Sequence, residues 1–294
     1  MASLHCPDML RESFYSVLCL LSVFVTASRA EEDARPKRPV DGIMDNSFLI
    51  EEAYNQEPGV VQHILTANYA LNYLPGPDDR IWALNFTQEW PVFSQAHQFS
   101  YSVPYNFVST GGKDGDGFGD ILLNYRYQAY FDEETLRAFA PRASLVLPTG
   151  RRNLGFSDDT VGAQFNLPFS AAWGDRWFTH LNAGLTWLPN AYSTDGQDAV
   201  HYNLGASVIY AAWSDCHLML EWTGNWLNVP NHGSGLRHEF LSVISPGVRK
   251  AFNFGNDAQL VLGVAAPIGL TAASPDIGVF LYVSFEHRFL PKKE

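Results

Sequence analysis

Charged side chains fall repeatedly on one phase of an alternation between apolar and polar residues, and they are the groups in this chain best placed to do chemistry. They are Glu89, Asp120, Arg126, Arg142, His180, His201, Glu221, Glu286 and Arg288, accompanied by Asn124, Gln128, Asn182, Asn203 and Asn225. Carboxylates and guanidinium groups on one shared surface have two uses. They pair across neighbouring strands and brace the structure, or they form a mixed-sign constriction that selects small solutes. A charge turned toward hydrocarbon near a bilayer midplane would cost about 2–4 kcal/mol, so these residues are expected to line a wet interior. Tyr130 and Tyr282 share that phase and are expected to face inward as packing residues or as a slide for aromatic solutes.

Catalytic arrangements are poorly supplied. Ser242 with His238, and Ser284 with His287, are the local hydroxyl–imidazole pairs. Residues four apart in a strand share a face but lie about 13 Å apart, and Ser284 and His287 fall on opposite faces. There is no Gly-x-Ser-x-Gly elbow and no phosphate-binding loop. His217 and His232 have no ligand-spaced neighbours for a metal. Asp114, Asp116 and Asp120 alternate, but Phe118 stands where a calcium loop needs its next oxygen, and a flexible exposed loop is the expectation there. An enzyme is not expected, and no cofactor or metal is implied.

The elements that must carry these groups are strands. Val161, Ala163, Phe165, Leu167, Phe169 and Ala171 alternate with Gly162, Gln164, Asn166, Pro168 and Ser170. Successive side chains of a strand point to opposite faces, so the segment has one greasy and one small, polar face. Trp177, Leu181, Ala183, Leu185 and Trp187 repeat the pattern against His180, Asn182, Gly184 and Thr186. With strands tilted by about 40°, Trp177 and Trp187 are separated by roughly 25 Å along a membrane normal, the height of the apolar band between aromatic girdles. The last strand does the same: Val279, Leu281, Val283, Phe285 and Phe289 share one face with His287.

Strand-length segments are read at 60–74, 80–93, 97–108, 117–131, 138–149, 159–172, 176–188, 199–213, 216–229, 236–253, 258–271 and 276–290. The fold class expected is an all-β, transmembrane antiparallel β-barrel of about 12 strands, within a range of about 10–14. Long connections (109–116, 150–158, 189–198) alternate with short ones (94–96, 173–175, 214–215, 255–257). Ser245-Pro246-Gly247 interrupts the alternation of 236–253 and reads as a bulge or a hidden turn.

Composition agrees with this class. The chain has 294 residues, 46% hydrophobic, 14% aromatic and only 17% charged. Residues 1–30 read as a signal peptide: Arg11 precedes the apolar run 14–27, and Ser28-Arg29-Ala30 offers a cleavage site. Cys6 and Cys19 go with it, leaving Cys216 alone and no internal disulfide. A net charge of −12 argues against a nucleic-acid partner. Residues 31–59 form a polar lead-in. Within it Phe48 to Glu57 is read as a short amphipathic segment, with helix as one conformation open to it, packed at the barrel mouth or as a plug inside. Residues 291–294 are a C-terminal tail.

Three motifs occur in order: Val103-Pro104-Tyr105, Gly117-Phe118-Gly119-Asp120 and Leu147-Pro148-Thr149-Gly150. Together they resemble the outer-membrane barrel family of the meta-cleavage pathway of phenol degradation, over roughly residues 60–290. The resemblance implies a barrel in the cell outer membrane that passes small, often hydrophobic or aromatic, molecules. It carries no agreed set of functional residues. The partners expected are outer-membrane lipid, small-molecule solutes and the barrel-insertion machinery. A lipid-modifying enzyme and a structural or envelope-interaction barrel are the alternative classes.

Overall fold

The computed structural model describes residues 47–72, 79–110, 113–191, 196–231, 235–255 and 258–290. Residues 1–46, which include the stretch read as a signal peptide, and residues 291–294, with Cys6, Cys19 and His232, lie outside the described residues. The strands form a closed antiparallel barrel of twelve staves. In chain order they are β1 (Val60–Asn72), β2 (Asp79–Val92), β3 (Ser94–Thr110), β4 (Lys113–Phe118, Ile121–Tyr127 and Tyr130–Asp132), β5 (Arg137–Phe139 and Arg142–Leu147) and β6 (Gly162–Asn166 and Phe169–Trp173). The circuit continues with β7 (Trp177–Leu188), β8 (Ala199–Trp213), β9 (Cys216–Pro230), β10 (Leu236–Asn253), β11 (Gln259–Ala265 and Ile268–Gly269) and β12 (Ile277–Arg288). β12 closes on β1 in register from Val60 opposite Arg288 to Leu71 opposite Ile277. No sheet edge remains between them, which removes the unpaired backbone groups that a bilayer cannot solvate.

Four staves are interrupted, and proline accounts for three of the breaks. Pro141, Pro168 and Pro267 lack the N–H that a central strand must donate. The ladder is carried past each by its carbonyl, as in Tyr127 N–H to Pro141 O (3.0 Å), Ala140 N–H to Pro168 O (3.1 Å) and Gly278 N–H to Pro267 O (2.8 Å). β10, by contrast, is continuous through Ser245-Pro246-Gly247: Leu220 stays opposite Pro246 without a register shift. There is neither bulge nor turn there, because Pro246 instead accepts from Ala266 N–H, beside the break in β11.

The outer surface is apolar with aromatic edges. Trp177 and Trp187 are 49% and 44% exposed, at opposite ends of β7. Trp177 packs on Tyr210 at 4.8 Å, whereas Tyr69–Trp82 (4.6 Å) and Trp226–Phe240 (4.7 Å) gather near the other rim. Two expectations change. Residues 113–118 extend the β3–β4 hairpin instead of forming a loop, since Val108 pairs with Gly115 and Phe107 with Asp116 through backbone groups that ask nothing of the side chains. Tyr130 is half exposed rather than inward: the break at Gln128-Ala129 shifts the alternation by one and turns Phe131 inward instead.

The three motifs of the sequence meet at the long-loop rim. Gly119 N–H donates to Pro104 O (2.9 Å), and Thr149 donates to Gly119 O while accepting from Ile121 N–H. Asp120 accepts from Gly150 N–H (2.9 Å) and Asp158 N–H (2.8 Å). The motifs thus pin one break in β4 and the root of the 150–158 connection.

Candidate functional site

Residues 47–57 cross the interior of the barrel as an irregular segment, bent at 48–50 and at 53. They are not helical, and the reason is local: the wall supplies the partners that a helix would have supplied internally. Leu49 N–H donates to Glu221 Oε1 (3.1 Å), Glu51 N–H to Asn182 Oδ1 (2.7 Å) and Ala53 N–H to Ser170 Oγ (2.8 Å). Alternate residues therefore bond inward-facing side chains of β9, β7 and β6. Asn182 also returns a bond to Glu51 O (2.7 Å), and Gln98 accepts from Gln56 N–H (2.8 Å). At the far end the Ser47 and Ser207 hydroxyls are 2.9 Å apart.

An ionic knot fastens the middle of the segment. Arg126, 3% exposed, donates to Asn55 Oδ1, Glu52 O and Tyr54 O at 2.8, 2.9 and 2.8 Å. It also lies 3.4 Å from Glu51 and 3.9 Å from Glu89. Arg142 donates to the other Glu51 oxygen at 2.8 Å, as does Asn166 at 2.7 Å. Burial pushes the Glu51 carboxyl up. Arg142 and Arg126, with the hydrogen bonds from Asn166 and Arg142, outweigh it and hold the group below its ordinary value. Glu51 is the residue that sequence reasoning missed. Its signal was a carboxylate pair, Glu51-Glu52, directly after the apolar run Phe48-Leu49-Ile50.

The opposite side of the segment is apolar and fits cradles made by wall glycines. A Cβ on Gly263 would lie 2.3 Å from the Phe48 ring, and one on Gly205 would lie 2.3 Å from Ile50 Cδ1. Phe48 stacks on Phe280 (5.6 Å) and meets Tyr282 at 5.1 Å, within a buried cluster that includes Ile64, Ile209 and Met219.

The sequence candidates occupy three levels. Glu89, Arg126, Arg142, His180 and Glu221 surround the segment; His180 is buried, 2.7 Å from Ser170 Oγ and edge-on to Tyr54. His201 sits toward the long-loop rim, where its Nδ1 accepts from Asn228 N–H (3.0 Å). Asp120 holds the 150–158 connection at the same rim, with both carboxylate oxygens engaged by backbone N–H groups. Arg288 bonds Pro58 O (2.9 Å) and Glu57 (3.1 Å) at the short-turn end, where Glu286 also lies. The hydroxyl–imidazole pairs do not meet. Ser242 accepts from Trp222 Nε1–H and His238 contacts Asn228, whereas Ser284 accepts from Gln62 inside the barrel and His287 stacks on His63. The Ser170–His180 contact is fully enclosed and serves to seat Ala53.

Two cavities flank the segment and share Leu49, Ile50, Glu51 and Arg142 in their linings. One, of about 350 Å³, faces β5–β9 and is rich in carboxamides; the other, of about 370 Å³, faces β1–β5 and β12. No group of three or more metal-ligating side chains occurs among the described residues.

The fold is similar to that of the COG4313 outer membrane channel from Pseudomonas putida F1, with a TM-score of 0.57 over 80% of this chain and 97% of that one at 14% identity. The NanC porin matches at a TM-score of 0.47 and 9% identity over 76% and 98% of the two chains. The β domain of the Bordetella autotransporter BrkA matches at 0.46 and 12% over 80% and 100%. At 14% identity the first likeness is one of fold, and the other two are weaker still. No family model matches the chain, and no curated protein matches it in sequence.

Proposed function

We propose that this chain is an outer-membrane channel that passes small molecules through its barrel, with residues 47–57 as the constriction. One observation carries the reading. The interior is neither packed solid nor open, but crossed by a segment held through polar contacts with a cavity on each side. A scaffold barrel has no use for two such spaces, and the buried Ser170–His180 contact gives no accessible nucleophile. The likeness of fold to an outer membrane channel and the ordered motifs of the phenol meta-pathway barrels support the same assignment. So do the aromatic edges of the outer surface, which suit a bilayer. The lumen-lining groups Glu89, Arg126, Arg142, His180 and Glu221 then set the constriction, with His201 and Asp120 toward one mouth and Glu286 and Arg288 toward the other. Lipid contacts the outer face, and β12, ending near Phe289, is the strand offered to the insertion machinery.

The test is single-channel conductance of the refolded chain lacking residues 1–30 in a planar bilayer. It is run beside a Ser47→Cys/Ser207→Cys variant in a Cys216→Ser background. The two hydroxyls are close enough for a disulfide to fix the segment to the wall. Discrete current steps are expected, and oxidation of the variant should suppress them, with recovery on reduction. Silence from folded, inserted protein would remove the channel reading.

A further inference from the structure

The cavity facing β5–β9 has a chemistry of its own, and we infer that it is a binding site for small, neutral, polyhydroxylated solutes of monosaccharide size. The inference rests on the channel reading and names its substrate class. Its volume of about 350 Å³ lies at the small end of the about 300–1,000 Å³ range of small-molecule sites. Gln164, Asn166, Asn203 and Asn225 line it from three neighbouring stretches of wall, with Thr186 and Thr223 between them. A carboxamide offers two donors and an acceptor, and a hydroxyl is both donor and acceptor. Gln164 is bonded to Arg142 and Thr186, and Asn166 to Glu51 and Asn203, which orders that side of the wall and leaves Thr223 and Asn225 as the groups turned to a hydroxylated ligand.

The alternatives fit less well. An ion would find the charges at the cavity floor already satisfied by one another: Arg142 is 2.8 Å from Glu51, and its remaining N–H groups reach Asn124, Ser144 and Gln164. An aromatic hydrocarbon would find, among the described lining residues, the His201 imidazole but no inward phenyl, phenol or indole ring. Tyr202 lines the cavity, but its side chain is 54% exposed on the outer face. The interior rings Phe48, Phe280 and Tyr282 are spent on one another across the segment. Against this, Asn225 and Thr223 stand side by side in phase on β9 and make no side-chain hydrogen bond among the described residues. Part-buried polar groups that face a cavity without partners are what a polar ligand would satisfy.

The experiment records ion current through single channels while D-glucose or phenol is added. D-glucose should cause brief interruptions whose frequency rises with concentration, and phenol should not. In Asn225→Leu/Thr223→Val the D-glucose interruptions should fall roughly tenfold or more, as loss of two hydrogen bonds implies, while the open current persists. Interruptions by phenol alone, by neither solute, or by D-glucose equally in both proteins would overturn the site. If the folded wild-type chain carries no current, the channel reading fails separately. Saturation-transfer NMR with D-glucose then decides the site: transfer that the double variant loses supports it, and absence of transfer overturns it.

Discussion

Arg142 Nε donates to Glu51 Oε2 across 2.8 Å, so that a cation on the barrel wall holds an anion on the segment crossing the lumen. The contact joins residues 91 positions apart, and Glu51 takes Arg126 on its other oxygen. One carboxylate therefore pairs with two inward arginines. Without it, two cations would face each other across β4 and β5, where Arg126 is directly opposite Arg142.

Replacing Arg126 by Met should release the segment while leaving the barrel closed. The substitution removes the donors to Glu52 O, Tyr54 O and Asn55, and breaking such a buried pair costs about 3–5 kcal/mol. In a Ser47→Cys/Cys216→Ser chain, labelling by a soluble maleimide should accelerate by at least roughly a hundredfold. Heat-modifiable gel mobility should stay that of the folded barrel. An unchanged labelling rate would mean that the remaining wall contacts, from Arg142, Ser170, Asn182 and Glu221 among others, hold the segment without Arg126.

Acid should loosen the same contact. The docked Glu51 has its pKa lowered from an ordinary value of 4.5, so its contribution is complete above that pH and is lost as pH falls through the lowered value. The part of the labelling rate at position 47 that Glu51 controls should rise only below pH 4.5. Glu51→Gln should label faster at neutral pH and lose the acid-dependent rise that belongs to this carboxyl.

Gly263→Ala and Gly205→Ala probe the apolar side. Each new methyl would meet Phe48 or Ile50 at 2.3 Å, closer than carbon atoms approach, so the segment must shift. Overpacking of this kind costs about 1–3 kcal/mol. Both variants should fold, since neither glycine has a left-handed backbone, and both should alter single-channel conductance. Gly255→Ala, whose methyl would meet nothing within 4 Å, is the control and should conduct as the parent does.

Trp177 and Trp187 should report the membrane boundary. In liposomes containing lipids brominated near the headgroup or near the bilayer centre, fluorescence from chains carrying either tryptophan in a Phe background should be quenched most by the shallow bromines. Stronger quenching by the deep label would displace the aromatic edges from the interface and with them the proposed depth of the barrel.

The barrel was legible in the sequence because its determinants are periodic and local. Lipid on one side and a wet interior on the other force a two-residue alternation, and that pattern puts Leu281, Val283 and Phe285 outside and Tyr282 and Ser284 inside without knowledge of any contact. Where the backbone loses its phase, as at Gln128-Ala129, the pattern misleads, and Tyr130 was assigned to the wrong face. The two-residue period also says nothing about pairs distant in the chain. Only closure of the twelve staves brings Arg126, Arg142 and Asn182 around Glu51, and only there does a bent, non-helical run of residues 47–57 find donors and acceptors for its backbone. The carboxamide-lined cavity is likewise a product of closure. Gln164, Asn203 and Asn225 each read as an ordinary inward residue of its own strand, and their common purpose exists only in the volume they enclose.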